Sequence, residues 1–482
     1  MKIKPILALL VFLAPHAMAE GLPDLGESAL TDLSPVMEQT LGTSIMRDLR
    51  WNDPSYLDDP EVTAYLNRLG NRLGATLPDG GLQFHFFALR DPTLNAFALP
   101  GGYIGVHTAL ILATQSESEL AGVLGHEISH VTQHHIARMV GKRKEANVIS
   151  LAGLLVAVLA ARSNSQVSQA AMTGGIAAGI QSQLNYSRDF EREADRIGLQ
   201  RLEAAGFDVR GMAAFFERLQ HESRFYENNA PAYLRTHPLT TERIADMQGR
   251  VEAMPYHQAA DSLEYQLVRA KLRVASLAAP DAVADFRSRL KDGKYTSESA
   301  AHYGLARALL AAGKLAEAER ELATLRPMKF DSPMLDTLAA EIKLAEKDRP
   351  AALRIYRQAL LRHPHDKALV YGLAEALLGG NDPAAAVHLV EQELSLTSTD
   401  ADLYALQARA YGAMGRRLLQ HRAQAELYAL QGRLKEAVEQ LQLAQRAGDG
   451  NFYELSAVDA RLREMKVKER EAAKEAKEGQ QP

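Results

Sequence analysis

His126-Glu127-Ile128-Ser129-His130 is the stretch on which the reading of this chain turns. It follows the pattern H-E-x-x-H, and its flanks predict a helix. Ser116 is placed as an N-cap, with Glu119 three residues on completing a capping box. Leu120, Val123, Leu124, Ile128 and Val131 then recur at helical spacing, and Gly141 offers a stop. Residues four apart share one helix face, so His126 and His130 can present two imidazoles to one metal ion. Glu127 lies beside the first histidine, where a carboxylate reaches a water next to the ion without ligating it. This is the two-histidine, general-base pattern of a zinc metallopeptidase. Taken alone, the five residues fit a surface helix with two histidines equally well. Catalytic zinc requires a third protein ligand.

Glu191-Arg192-Glu193-Ala194-Asp195 supplies candidates. The segment from Tyr186 to Leu202 reads as a helix with Phe190, Ala194, Ile197 and Leu202 toward the core. Glu191 and Asp195 share its other face. One carboxylate can bind the metal while the other holds the free ring nitrogen of a ligating histidine. The competing reading is a solvated face laced by Arg188, Arg192 and Arg196.

H-E-x-x-H followed about sixty residues later by E-x-x-A-D resembles the membrane-associated zinc peptidase family of the CAAX prenyl proteases and the HtpX heat-shock protease. Two further blocks agree. Asn95-Ala96-Phe97-Ala98-Leu99-Pro100-Gly101-Gly102-Tyr103-Ile104 resembles the segment before the family's zinc helix. Thr236-His237-Pro238-Leu239, followed by Arg243 and Ile244, resembles its T-H-P block. The resemblance covers residues 30 to 255. It implies one Zn2+ per subunit on His126, His130 and Glu191, with Glu127 as general base and Asp195 orienting a ligand histidine.

The ends of the chain bear on the compartment. Lys2 and Lys4 precede an apolar run from Ile6 to Leu13, and Ala17-Met18-Ala19 gives an A-x-A cleavage site. The apolar part is too short to span a bilayer, so this reads as a signal peptide cleaved after Ala19. The formal charge of −5 rests on 55 basic against 60 acidic residues; losing Lys2 and Lys4 leaves 53, hence −7. That mildly acidic balance argues against nucleic acid as the partner. With no cysteine, the chain has no disulfide and no cysteine-linked lipid. The periplasm is the expected location.

Val148 to Ala161 is apolar, but at 1.5 Å per residue it reaches only about 21 Å, short of a bilayer core of about 30 Å. A small-residue run from Gly174 to Gly179 follows. The stretch reads either as a helical hairpin buried in the peptidase core or as a surface that leans on a membrane or covers the cleft.

Past residue 255 the chain becomes alanine- and leucine-rich with a measurable period. Ala306, Gly313 and Ala318 match the small-residue positions of a tetratricopeptide repeat. Ala340 and Ala352 repeat two of them 34 residues on, and Ala374 and Ala386 do so again. Pro364 falls at a repeat end, and Ala408, Tyr411 and Gly415 continue the register. Ala425, Tyr428, Gly432 and Ala437 arrive after half a period, so one helix is expected to serve two units. Tyr265 to Leu290 resembles a degenerate first unit. Such a solenoid has a concave face suited to extended chains. Its histidines (His302, His363, His365, His388 and His421) are scattered and read as structural.

The expected fold is mainly α. It comprises a signal peptide (1–19), an α+β gluzincin-type zinc peptidase domain with a small β-sheet (20–255), an all-α tetratricopeptide solenoid (262–460) and a charged tail without core positions, expected as a frayed helix or a disordered segment (461–482). Asn95 and Ala96 are the positions expected to grip substrate main chain by β-augmentation, although a turn residue and its neighbour fit as well. His237 has three readings: oxyanion stabiliser, occupant of the metal's fourth position, or loop anchor. His134 and His135 read as structural. Together with the signal peptide and repeats, the resemblance implies work on unfolded or stalled outer-membrane β-barrel proteins beside the barrel-assembly machinery. The alternatives are a holding chaperone or scaffold with a self-inhibited peptidase site, and a general periplasmic protease.

Overall fold

The computed structural model describes residues 33–77, 82–141, 188–223, 232–328 and 330–478. The expected signal peptide and the apolar segment from Val148 to Gly179 lie outside the described residues. Helix α1 (Pro35–Asn52) starts where the Ser34 hydroxyl accepts the Met37 amide, and α2 (Pro60–Gly74) where Asp59 accepts those of Glu61 and Val62. Proline at each helix start costs no hydrogen bond, because the first amides have no partner inside a helix.

Three strands follow: β1 (His85–Leu89), β2 (Ala96–Leu99) and β3 (Tyr103–His107). β3 is central, parallel to β1 and antiparallel to β2. The segment from Asn95 to Ile104 folds as a tight hairpin. Gly101 and Gly102 turn it at φ +74° and +84°, values that glycine adopts readily and other residues rarely. The outer edge of β1 is covered: the Asn67 amide donates to Phe86 O at 2.8 Å, and its oxygen accepts Phe86 N at 3.0 Å. The outer edge of β2 carries no strand among the described residues.

After α3 (Thr108–Ala113) comes α4 (Glu117–Thr132), which carries the H-E-x-x-H residues and is buried from Glu117 to His130. Ser116 caps it as expected, accepting the Glu119 amide at 3.3 Å. The Glu119 carboxylate reaches back to Gln115 N (2.7 Å) instead of the cap residue and also meets Arg218. The helix ends at Thr132, well before the stop expected at Gly141. His134 turns the chain at φ +49°, and α5 (His135–Gly141) begins at once. Helix α6 (Arg188–Ala204) buries Phe190, Ala194, Ile197 and Leu202 as expected. It crosses α4 glycine on glycine. A Cβ on Gly198 would stand 3.1 Å from His126 N and 3.2 Å from Gly125 C. Helices α7 (Arg210–Ser223), α8 (Ala232–Thr236) and α9 (Thr241–Ala253) complete the peptidase region.

Six helix pairs follow, from Leu263–Ala275 with Ala279–Asp292 to Leu434–Arg446 with Phe452–Glu478. Ala306, Ala318, Ala340, Ala352, Ala374 and Ala386 are all at most 1 % exposed, as small-residue positions of the repeat require. Arg417–Leu430 packs on the helices before and after it, as other second helices of these pairs do. The core extends past the expected boundary: Leu462 and Met465 are buried with Val458 in the last cluster, and the helix continues to Glu478.

A single apolar cluster runs from Leu57 through the sheet and α4 to Ile342, so the first repeats share the peptidase core. Polar contacts close the seam. Lys271 Nζ meets Asp59 at 2.6 Å and Glu61 at 2.5 Å, and the Tyr265 and Thr114 hydroxyls lie 2.9 Å apart. Farther along, Arg50 of α1 meets Asp402 of the repeats at 2.7 Å. Among the described residues no helix is long and apolar enough to cross a membrane.

Replacing Gly198 with leucine is expected to force α4 and α6 apart at a cost of about 1–3 kcal/mol. Urea unfolding of the metal-free chain checks this; an unchanged midpoint would show that the crossing is loose.

Candidate metal centre

The α4–α6 crossing brings together side chains that lie sixty residues apart in sequence. His126 Nε2 and His130 Nε2 stand 2.9 Å apart on α4. From α6, Glu191 Oε1 lies 3.5 Å from His130 Nε2. From the turn after α8, His237 Nδ1 lies 3.0 Å from Glu191 Oε1 and 3.3 Å from His126 Nε2. One atom from each of these four residues fits within 4.8 Å, and all four side chains are buried. Three imidazole nitrogens and a carboxylate oxygen are a donor set suited to a divalent transition metal. Glu127 is also fully buried, and its carboxylate faces the backbone N–H of Ala98 on β2. Its nearest ring is that of His237, whose Nε2 stands 3.6 Å from Oε1.

A buried ion network surrounds these groups. Asp195 Oδ1 lies 3.0 Å from His126 Nδ1. Arg243 of α9, 1 % exposed, donates through Nε and Nη2 to Asp195 at 2.7 and 2.8 Å. Its Nη1 reaches Glu191 Oε2 at 2.7 Å and Pro238 O at 2.8 Å. The same guanidinium thus ties the two α6 carboxylates to the loop that carries His237. The sequence places Arg243 in a motif without showing this role, because its partners lie on a separate helix. The α6 face is therefore buried and paired, and the solvated reading does not hold for Glu191 and Asp195.

These surroundings set the charges. Burial lowers the His126 pKa, but hydrogen bonds and charges from Asp195 and Glu191 outweigh it and lift the group to about 9. Burial, aided by the His126 charge, holds His130 well below the usual histidine range. Burial raises Glu191, yet His237 and His126 more than offset it and keep this carboxylate ionised. Burial also raises Glu127, and here it outweighs the pull of His237 and His126. A buried carboxyl shifted upward is suited to carrying a proton.

Asn95 and Ala96 sit at the start of β2, both fully buried. The Asn95 backbone oxygen accepts His107 N at 2.9 Å, while its side-chain Oδ1 and Nδ2 have no hydrogen-bond partner. The preceding Leu94 O accepts Tyr233 N at 3.0 Å, and the Tyr233 ring stacks on His237 with centroids 4.7 Å apart. His135, read as structural, is buried and places Nδ1 2.9 Å from His130 Nδ1. Nothing in the local pattern shows this contact, which depends on the left-handed turn at His134.

Residues 57–251 match peptidase family M48, and residues 287–342 and 343–410 match a tetratricopeptide repeat. The β-barrel assembly-enhancing protease of Yersinia pestis is 33% identical over 448 residues, which span 92% of this chain and 91% of that protein. Its counterpart in Escherichia coli K12 is 33% identical over 451 residues, 93% of this chain and 92% of that protein. The chain belongs to the β-barrel assembly-enhancing protease family. The mitochondrial metalloendopeptidase OMA1 of Schizosaccharomyces pombe is also similar, 30% identical over 195 residues, 40% of this chain and 54% of that protein. This M48 peptidase is a metalloendopeptidase, and among the described residues its buried cluster of three histidines and one glutamate is a candidate metal site.

Two measurements test the site. Arg243→Ala leaves two buried carboxylates without their cation and is expected to cost about 3–5 kcal/mol in urea unfolding. Metal binding must displace the proton that His126 holds at pH 7 in the metal-free chain. Titration calorimetry in buffers of different ionisation enthalpy should find about one proton released. This raised pKa also sets a sign: His126 stabilises the metal-free fold fully below its unfolded value near 6.5, and that contribution is lost as pH rises through about 9.

Proposed function

We propose that the chain is an exported zinc endopeptidase of the periplasm that acts on outer-membrane β-barrel proteins. The observation that carries the chemistry is the convergence of His126, His130 and Glu191 beside the buried Glu127 carboxylate. Zinc held by His126, His130 and Glu191 would supply a Lewis acid that makes water nucleophilic near neutral pH and polarises the scissile carbonyl. Glu127 accepts the proton of the attacking water and returns it to the leaving amine nitrogen. Asp195, fixed by Arg243, holds the His126 ring with Nε2 toward the metal.

The peptide must be extended to be cut. The open edge of β2 can take it as an added strand, with Asn95 and Ala96 contacting its main chain. Export rests on the n-region, apolar run and A-x-A site at residues 2 to 19. Barrel substrates and work beside the barrel-assembly machinery rest on the names of the relatives, and the repeats offer a concave surface for unfolded chains.

A second reading, a holding role with the peptidase silenced, draws on one observation. His237 lies among the ligand atoms, where its Nδ1 can fill the fourth position and exclude water. Faster peptide cleavage by His237→Ala supports this plug, whereas near-total loss assigns the ring to the oxyanion. Glu127→Gln is expected to keep its metal and melting temperature but cut peptides at least 100-fold more slowly. A variant that still cleaves at the wild-type rate would remove Glu127 from the chemistry. In cells, substrates accumulating uncut in Glu127→Gln indicate proteolysis, and full barrel maturation indicates holding.

A further inference from the structure

His130 has an outward contact of its own, on the side away from the metal position. Its Nδ1 stands 2.9 Å from Nδ1 of His135, and His135 Nε2 stands 3.1 Å from Glu193 Oε2. Arg138 Nη1 holds that same oxygen at 2.9 Å. The His135 ring is fully buried and lies flat on Phe190, with centroids 4.4 Å apart and planes 10° apart. Two nitrogens 2.9 Å apart share one hydrogen, and the chain of contacts fixes where it sits. For His130 Nε2 to offer a lone pair to a metal, the ring's hydrogen must be on Nδ1. His135 Nδ1 must then accept it, so His135 carries its own hydrogen on Nε2 and donates it to the Glu193 carboxylate. In the opposite arrangement the His130 hydrogen moves to Nε2, pointing into the site and blocking ligation.

The backbone is shaped to make this contact. On an unbroken helix, His135 would lie about 140° around the axis from His130. The left-handed turn at His134, a conformation costing a non-glycine residue about 1–2 kcal/mol, brings it back beneath the ring. His134 is in turn held by Glu38, 3.1 Å from its Nδ1.

We propose that His135, Glu193 and Arg138 form a second orienting arm of the metal site, fixing the tautomer and ring angle of His130 as Asp195 does for His126. His135 is a positioning residue on this view, with no contact to substrate. The inference rests on the zinc reading above.

The test uses the full chain loaded with zinc, its metal release timed with a chelating dye. His135→Ala should release zinc about 10–100-fold faster than wild type. His135→Asn puts an amide oxygen where Nδ1 stood and should restore release to within about threefold. Glu193→Gln, at a partly exposed position that leaves the core intact, should fall between them. Cobalt-substituted His135→Ala should show shifted d–d bands, which a change in packing far from the ligands would not produce. Wild-type release rates in His135→Ala, or equal loss in the alanine and asparagine variants, would overturn the proposal. A wild-type chain that holds no zinc would instead sink the site reading itself.

Discussion

Everything at the site depends on how closely α4 can approach α6. Gly125 and Gly198 face each other so closely that an added Cβ would stand 3.1–3.3 Å from the opposing backbone, and this approach lets a carboxylate on one helix reach imidazoles on the other. That approach also buries Glu191 and Asp195 in surroundings that would not tolerate two bare charges. Arg243 resolves the conflict by pairing with both, and the repulsion between the carboxylates becomes an ion network. The crossing brings the donors together, and the guanidinium makes their burial bearable.

The network also links the site to its surroundings. Arg243 holds Pro238 O as well as the α6 carboxylates, so the His237 loop is bound to the same cation that supports the ligands. Tyr233 stacks on His237 and donates its backbone N–H to Leu94 O, immediately before the open strand β2. A peptide entering along β2 would therefore meet the segment that positions His237. The repeats join through a continuous apolar core and the Lys271 and Arg50 ion pairs, which lock the two regions without any disulfide.

Much of this was legible in the chain because its signals are local. H-E-x-x-H lies on one helix, Glu191 and Asp195 on another, and the 34-residue alanine offsets fall on buried positions. What escaped the sequence depends on contacts between distant segments or on backbone geometry. Arg243 shows its role only when α9 packs on α6. His135 reaches His130 only because His134 leaves the helical region, and no residue type there announces such a turn; glycine at Gly141 is the more obvious stop. Leu462 and Met465 sit in sequence dense with charge, where two apolar positions on one helix face are easily overlooked. The burial of the α6 face is likewise invisible until α4 lies across it.

The central claim is that one zinc ion is held by imidazole and carboxylate from α4 and α6. X-ray absorption at the zinc edge of the purified chain, with metal content measured on the same sample, tests it most directly. The account predicts one zinc per chain, with nitrogen and oxygen ligands at about 2.0–2.2 Å and outer-shell scattering from at least two imidazoles. Substoichiometric metal, or a shell without imidazole scattering, would contradict it.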